Sequence, residues 1–285
     1  MKKYIYISSG AFGKNKNLNK IFSILKKNKI NSVELSGGMY EKKIIKNLKL
    51  NKKFNFIFHN YFPVPKKNFV LNLASNNKKI INQSFSHIKN AIRICKIFNL
   101  KYYSLHSGFL YDPDPKLLGK EMKLCKTFNR KSALSRFIKN INIIGDYAKK
   151  YDIKILLENN IIEKKEYNLF KRNTVLMSTI RETIFIMKNT RDNVKLLIDV
   201  GHLNVAARTL KFNRVDFLKK TLSWTEGFQL SENDGIKDCN LPVRKNSWFW
   251  PYINKELNYY SLEVYNLDIN VIKQNLKLIK KKLFK

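Results

Sequence analysis

Cysteine is scarce in this chain of 285 residues. The three present, Cys95, Cys125 and Cys239, show no paired spacing. That excludes a disulfide-stapled secreted scaffold and points to a reducing compartment, the cytoplasm. Long apolar runs are also missing, so no membrane span is expected. The opening MKKYIYISSGAFG is basic, but an apolar core of about five residues is too short for a secretory signal. No glycine-rich phosphate fingerprint follows the first apolar run, which argues against a doubly wound nucleotide-binding sheet. No composition shift marks a linker, so 1–285 reads as one domain. Acidic residues are few, 21 against 56 Lys and Arg, giving a net charge of +35. Such an excess normally signals nucleic acid or an anionic membrane. Here only nine of the basic residues are arginine, and the lysines are spread along the whole chain without a basic block. That is the pattern of solvated faces, so nucleic acid is not the expected partner. An anionic small molecule such as a sugar phosphate remains compatible with it.

What is present is an ordinary globular composition, 44% hydrophobic and 13% aromatic. The length suits one α/β barrel or two smaller domains. Short apolar runs alternate with helical stripes, the mark of repeated β-α units and a parallel sheet. Strands are predicted at 4–8, 32–35, 55–58, 102–105, 153–157, 194–198, 228–230 and 260–264. Helices are predicted at 18–29, 41–50, 77–98, 132–150, 175–188 and 269–283. Eight strands with intervening helices predict a single closed (β/α)8 TIM barrel.

Active sites of such barrels lie where the strands end. The run IKILLENN stops at a carboxylate, Glu158, and the other ends supply His59, His106, Asp199 with His202, Gln229 and Glu263. Each has a plain alternative. Glu158 can pair with a rim lysine, His59 and His106 can cap turns, Asp199 can cap a helix, and Gln229 can be a buried amide bonded to backbone. Taken together, three carboxylates at one rim repel one another unless a cation neutralises them. The oxygen set Glu158, Asp199, Gln229 and Glu263 suits one hard divalent ion, Mg²⁺ or Mn²⁺ in preference to Zn²⁺. His87, mid-helix in SFSHIKNAIRI, reads as structural.

The segments LLENN, LLIDVGH, FQLSENDG and SLEVYN, in that order, resemble the xylose-isomerase-like TIM-barrel superfamily. That group holds sugar epimerases and isomerases, inosose dehydratases and the endonuclease IV type of apurinic-site nuclease. The resemblance spans essentially the whole chain, and HNYFPVP…FVLNLAS is similar to a segment of bacterial sugar phosphate isomerase/epimerase members. It implies that Glu158 and Glu263 bind the metal and shuttle protons, with Asp199 as a further ligand. The family's strand-seven ligand is usually His, and Gln229 stands there, as a Gln does in the similar hydroxypyruvate isomerase. His202 would contact substrate, together with His59 and His106. The nuclease branch needs a histidine-rich trinuclear zinc site. This chain has four histidines in all, Gln229 replaces one ligand, and Asp238-Cys239-Asn240 lacks the last.

The implied activity is isomerisation or epimerisation of a sugar, sugar phosphate or related hydroxy-carbonyl compound through an enediolate. An apurinic-site nuclease and a non-catalytic ligand-binding barrel are the rivals. Lys237, Arg244 and Lys245 are candidates for a substrate anion, against the plain reading of solvated charge. Specificity is expected in loops such as 109–125 and 236–250, and Trp248-Phe249-Trp250 reads as core.

Overall fold

The computed structural model describes residues 3–13, 16–117 and 123–284. Eight strands close into a parallel barrel in chain order: β1 (Tyr4–Ser8), β2 (Ser32–Leu35), β3 (Asn55–His59), β4 (Tyr102–His106), β5 (Lys154–Glu158), β6 (Val194–Asp199), β7 (Thr225–Leu230) and β8 (Tyr259–Leu262). The β1–β8 ladder, from Tyr4 opposite Tyr259 to Ile7 opposite Leu262, closes the ring. All eight predicted strands exist. Three of them, β3, β4 and β6, run one residue further than the apolar pattern indicates, and β5 is shifted one residue on, so all four end on the polar residue of the site. β8 stops sooner, at Leu262, so Glu263 follows the strand instead of lying within it.

Period-two alternation divides each strand between two cores. Outward residues such as Ile7, Leu35, Phe58, Leu105, Leu157, Ile198, Phe228 and Leu262 pack against the helices in the main core. Inward residues Tyr6, Ile57, Leu156, Leu197 and Tyr259 form a smaller core inside the barrel, with Tyr4 and Tyr102 against it. Their rings interlock, Tyr6–Tyr259 and Tyr102–Tyr259 each at 5.9 Å between centroids. Gly227 makes room for this layer, since a Cβ there would sit 2.9 Å from the Tyr259 side chain. The inward side of β4 reads Tyr102, Ser104, His106, so polarity rises toward the strand end.

The helices that follow are α1 (Leu18–Lys27), α2 (Ile44–Leu50), α3 (Lys78–Ile97), α4 (Arg130–Lys149), α5 (Lys164–Phe170), α6 (Ile180–Lys188), α7 (Val200–Leu210), α8 (Arg214–Thr221) and α9 (Ile269–Phe284). Of the apolar stripe Leu18, Ile21, Phe22, Ile24 and Leu25 on α1, all are buried but Ile24, which is half-buried. Asparagine starts several helices, with Asn17, Asn77, Asn129 and Asn213 accepting backbone N–H bonds as N-caps. The helix predicted from 175 begins only at Ile180, where Thr179 accepts from the Glu182 N–H. Helices α5, α7 and α8 were outside the prediction, because their apolar periodicity is short or all-round. Among the described residues no helix is long and apolar enough to cross a membrane.

Candidate metal centre and active site

The LLENN motif builds one corner of the site. Glu158 ends β5 fully buried, opposite His106 in the β4 ladder. The two amides after it tie the strand ends together. Asn159 donates Nδ2–H to the Asp199 carbonyl at 3.0 Å and accepts the Asp199 N–H at 2.9 Å. Asn160 donates to the Leu176 carbonyl at 3.0 Å, and Ser107 Oγ donates to the Glu158 carbonyl at 2.6 Å.

Around the Glu158 carboxylate stand three imidazoles. His59 Nε2 is 3.4 Å from Oε2, His106 Nδ1 is 3.6 Å from Oε1, and His202 Nδ1 is 2.8 Å from Oε1. His202 Nδ1 also donates to the Asn159 carbonyl at 3.1 Å, and its Nε2 faces Asp238 Oδ2 at 3.4 Å. Asp199 does two things at once. Its Oδ1 accepts the His202 N–H at 2.7 Å as the N-cap of α7, while its Oδ2 is buried without a hydrogen-bond partner. Asp199 thus caps the helix with one oxygen and keeps the other free beside Glu158 and His202. Gly201 lets α7 start this close, since a Cβ there would meet Ser231 Oγ at 2.5 Å.

On the far side, Asp199 pairs with Gln229 in the β6–β7 ladder. Gln229 Nε2 donates to both oxygens of Glu34, at 3.2 and 3.3 Å, leaving its own Oε1 unpartnered. Glu263 accepts the Tyr265 hydroxyl at 3.0 Å on Oε1, and its Oε2 is unpartnered. Buried oxygens on Asp199, Gln229 and Glu263 thus lack hydrogen-bond partners, whereas the Glu158 oxygens face imidazoles. Unpaired buried oxygens of this kind are costly unless protons or a cation fill the gap. The donor set fits a divalent ion.

Electrostatics divide the carboxylates. Burial alone would raise the pKa of Glu158, but His106, His202 and His59 outweigh it and lower it to about 2. Burial raises Asp199 to about 6, helped by Glu158 and Asp238 and opposed by His202. Burial, then Asp199, Glu158 and Glu34, push Glu263 well above the ordinary range. These shifts favour the neutral form of Glu263 and the ionised form of Glu158. Burial opposes a charge on His202, yet Asp199, Asp238 and Glu158 keep its pKa well above the imidazole range. Burial lowers His59 to about 4 against the pull of Glu158, so it is neutral.

Ligand atoms of His59, His106 and Glu158 lie within 4.8 Å of one another, as do those of Glu158, Asp199 and His202. All of the histidines and strand-end carboxylates named from sequence come together except His87. That residue, as expected, is structural, its Nε2 against the Asn60 carbonyl at 2.9 Å. Lys237, Arg244 and Lys245 do not join the set and are exposed. Arg244 lines a separate cavity of ≈ 650 Å³ with Arg208, Arg214 and Trp248. Phe249 and Trp250 are core, whereas Trp248 is part-exposed under the Arg214 guanidinium at 4.2 Å. Of the loop 109–125, residues 118–122 lie outside the described residues.

Sequence reasoning missed Glu34 and Asp238. Glu34 had the signal already used for Glu158, a lone carboxylate in an apolar strand (SVEL). Asp238 was counted only as part of an incomplete zinc motif, and its proximity to His202 depends on the long loop after β7.

The sequence profile of the xylose isomerase-like TIM barrel matches residues 17–281. The chain belongs to the xylose isomerase-like TIM barrel family. No curated protein matches it in sequence. Among solved structures, a D-tagatose 3-epimerase-like protein aligns over 99% of this chain and 97% of its own, at 20% identity and a TM-score of 0.74. A D-psicose 3-epimerase determined in the presence of D-fructose aligns over 99% of both chains at 13% identity and 0.66. A Thermus thermophilus protein soaked with zinc chloride aligns over 97% of this chain and 98% of its own, at 13% and 0.62. These family barrels share the fold described above.

Proposed function

We propose that the chain is a metal-dependent isomerase or epimerase of a sugar, sugar phosphate or related hydroxy-carbonyl compound. The observation that carries this reading is the buried group of Glu158, Asp199 and His202 with ligand atoms within 4.8 Å of one another, beside unpartnered buried oxygens on Asp199, Gln229 and Glu263. Glu158, Asp199, Gln229 and Glu263 would hold one divalent ion, and two of the family's neighbours bear the names of ketose 3-epimerases. The ion would supply positive charge opposite the carbonyl and hydroxyl oxygens, lowering the acidity barrier of the carbon between them.

The two glutamates are the candidates for the two proton transfers. Glu158, ionised among its imidazoles, takes the proton from the carbon next to the carbonyl, leaving an enediolate. Either Glu158 or Glu263 would return a proton to the opposite face or the neighbouring carbon. Tyr265 holds Glu263 in place through the 3.0 Å hydrogen bond. His202, charged between Asp238 and Glu158, and the more open His106 meet the substrate oxygens. His59 lies deeper and positions Glu158.

The test is turnover of ketopentoses, ketohexoses and their phosphates after EDTA stripping and reconstitution with Mn²⁺. Glu158→Gln and Glu263→Gln should each lose roughly 10²–10⁴-fold in kcat, the span of general acid-base catalysis. Either variant retaining full turnover of a substrate that wild type converts overturns the two-glutamate mechanism.

A second reading rests on the two overlapping ligand groups and on Asp238 beside His202. They would suit a multinuclear apurinic-site nuclease. Metal analysis of protein purified without chelator separates the readings. One ion per chain supports the isomerase, and several zinc ions with cleavage at abasic sites support the nuclease.

A further inference from the structure

The cavity of ≈ 650 Å³ shares no lining residue with the carboxylate cluster. It lies between α7, the turn into α8 and the loops that follow β7, and three guanidiniums line it: Arg208, Arg214 and Arg244. In this chain that is a concentration. Lysine carries the solvated charge, and only nine of the 56 basic residues are arginine. Elsewhere arginine serves the fold. Arg130 with Glu182 and Arg191 with Asp146 make the arginine–carboxylate ion pairs among the described residues, and Arg136 donates to the Ala74 and Ser75 carbonyls.

The three cavity arginines are held without being neutralised. Arg208 Nη1 donates to the Asp234 carbonyl at 2.7 Å. Arg214 Nη1 donates to Asn204 Oδ1, and its guanidinium lies 4.2 Å over the Trp248 ring, which fixes the fork from one face. Arg244 is anchored by its backbone, whose N–H donates to Ser247 Oγ at 2.8 Å and whose carbonyl accepts the Trp250 Nε1–H at 2.7 Å. Its guanidinium has no hydrogen bond or ion pair among the described residues. A guanidinium offers five donors in a planar fork that matches an oxyanion, and these bonds use one on Arg208 and one on Arg214.

Two carboxylates share the lining and narrow the ligand further. Asp234 belongs to the turn, its Oδ1 accepting the Ile236 and Lys237 N–H groups at 2.7 and 3.1 Å. Glu232 acts on Arg214 through space without pairing with it. It is an acceptor that a plain anion leaves unused and a hydroxyl satisfies. We propose that this cavity is a binding site for a phosphate monoester that carries free hydroxyls, with the phosphoryl group among the arginine forks and a hydroxyl on Glu232. Its volume is that of a small-molecule site. Sugar phosphates and nucleoside monophosphates share this chemistry. The site stands apart from the proposed reaction and does not depend on it. The loop that forms its wall continues to Asp238, which faces His202.

Calorimetry on the metal-free protein in EDTA tests it, at physiological salt so that the diffuse lysine field is screened. Fructose 6-phosphate and AMP represent the two sources. At least one should bind at a single saturable site, and the tighter of them names the source. Fructose binding as tightly as its phosphate overturns the proposal, as does the absence of saturable binding by both esters. Arg244→Gln removes a side chain that supports nothing in the fold, and the Kd should rise about tenfold or more, the loss of one charge-assisted contact. Arg214→Lys keeps the charge without the fork and should weaken binding as well. The control Lys219→Gln/Lys220→Gln removes two exposed charges from the neighbouring α8 and should change the Kd by less than about twofold. An equal loss in the lysine control and in Arg244→Gln, or an unchanged Kd in Arg244→Gln, overturns the proposal.

Discussion

Glu158→Gln should destabilise the metal-free protein, and Glu263→Gln should not. Both glutamates are buried at the same rim, so size and burial do not distinguish them. Their electrostatic surroundings do. Burial disfavours the Glu158 charge, but the three imidazoles reverse the balance and lower its pKa from 4.5 to about 2. At neutral pH His202 is the charged imidazole of the three, and losing its contact with the carboxylate costs on the order of 1–3 kcal/mol in a neutral amide of the same shape. The folded pKa is below the unfolded one, so this contribution is complete above pH 4.5 and disappears as the pH falls through about 2. For Glu263 the sign is opposite. Burial and its carboxylate neighbours raise its pKa well above 4.5. Its ionisation opposes folding, so the amide should be neutral or stabilising at neutral pH. Urea unfolding in EDTA, followed by circular dichroism, measures both. A Glu158→Gln protein as stable as wild type, or a Glu263→Gln protein weakened by more than about 1 kcal/mol, would refute this account of the charges.

The pH dependence of metal binding follows from the same groups. Mn²⁺ must displace the protons on Asp199, whose pKa is about 6, and on Glu263. Affinity should therefore fall as the pH drops through about 6, and calorimetry in buffers of different ionisation heat should show proton release at neutral pH. A pH-independent Kd contradicts this. Asp199→Asn should keep the α7 cap and the stability while losing at least tenfold in Mn²⁺ affinity. Asp199→Ala should lose the cap as well, about 1 kcal/mol in the same unfolding assay. Gln229→His should move the metal preference toward Zn²⁺, read as the ratio of Zn²⁺ to Mn²⁺ dissociation constants.

Much of the barrel was legible because its strands are short apolar runs buried on both faces and its longer helices carry clear stripes. The strand-end residues were legible for the same reason, each being a polar stop to an apolar run. What escaped shows where such patterns fail. Helix α7 hides behind the all-round burial of Val200 to Ala207, which leaves no stripe to read. Asp238 reaches His202 from a loop whose path no local signal encodes. Glu34 sits inside a four-residue strand, where a single carboxylate looks like a solvent-facing position until closure of the barrel turns that side inward. Lys237 and Arg244 are exposed and lie apart from the cluster. In a chain with a net charge of +35, a basic residue near a site carries little information.

The tyrosine layer inside the barrel has a consequence for traffic. Tyr6, Tyr102 and Tyr259 interlock inside the barrel, so among the described residues side chains fill its interior below the carboxylates. The side chains of His106 and Asp238 are 29% and 26% exposed, against 1% for Glu158, and they mark the mouth. On the proposed isomerase reading, substrate would enter past these two residues, and a proton lifted from carbon would be held above a packed tyrosine layer that separates it from water on the other side of the barrel.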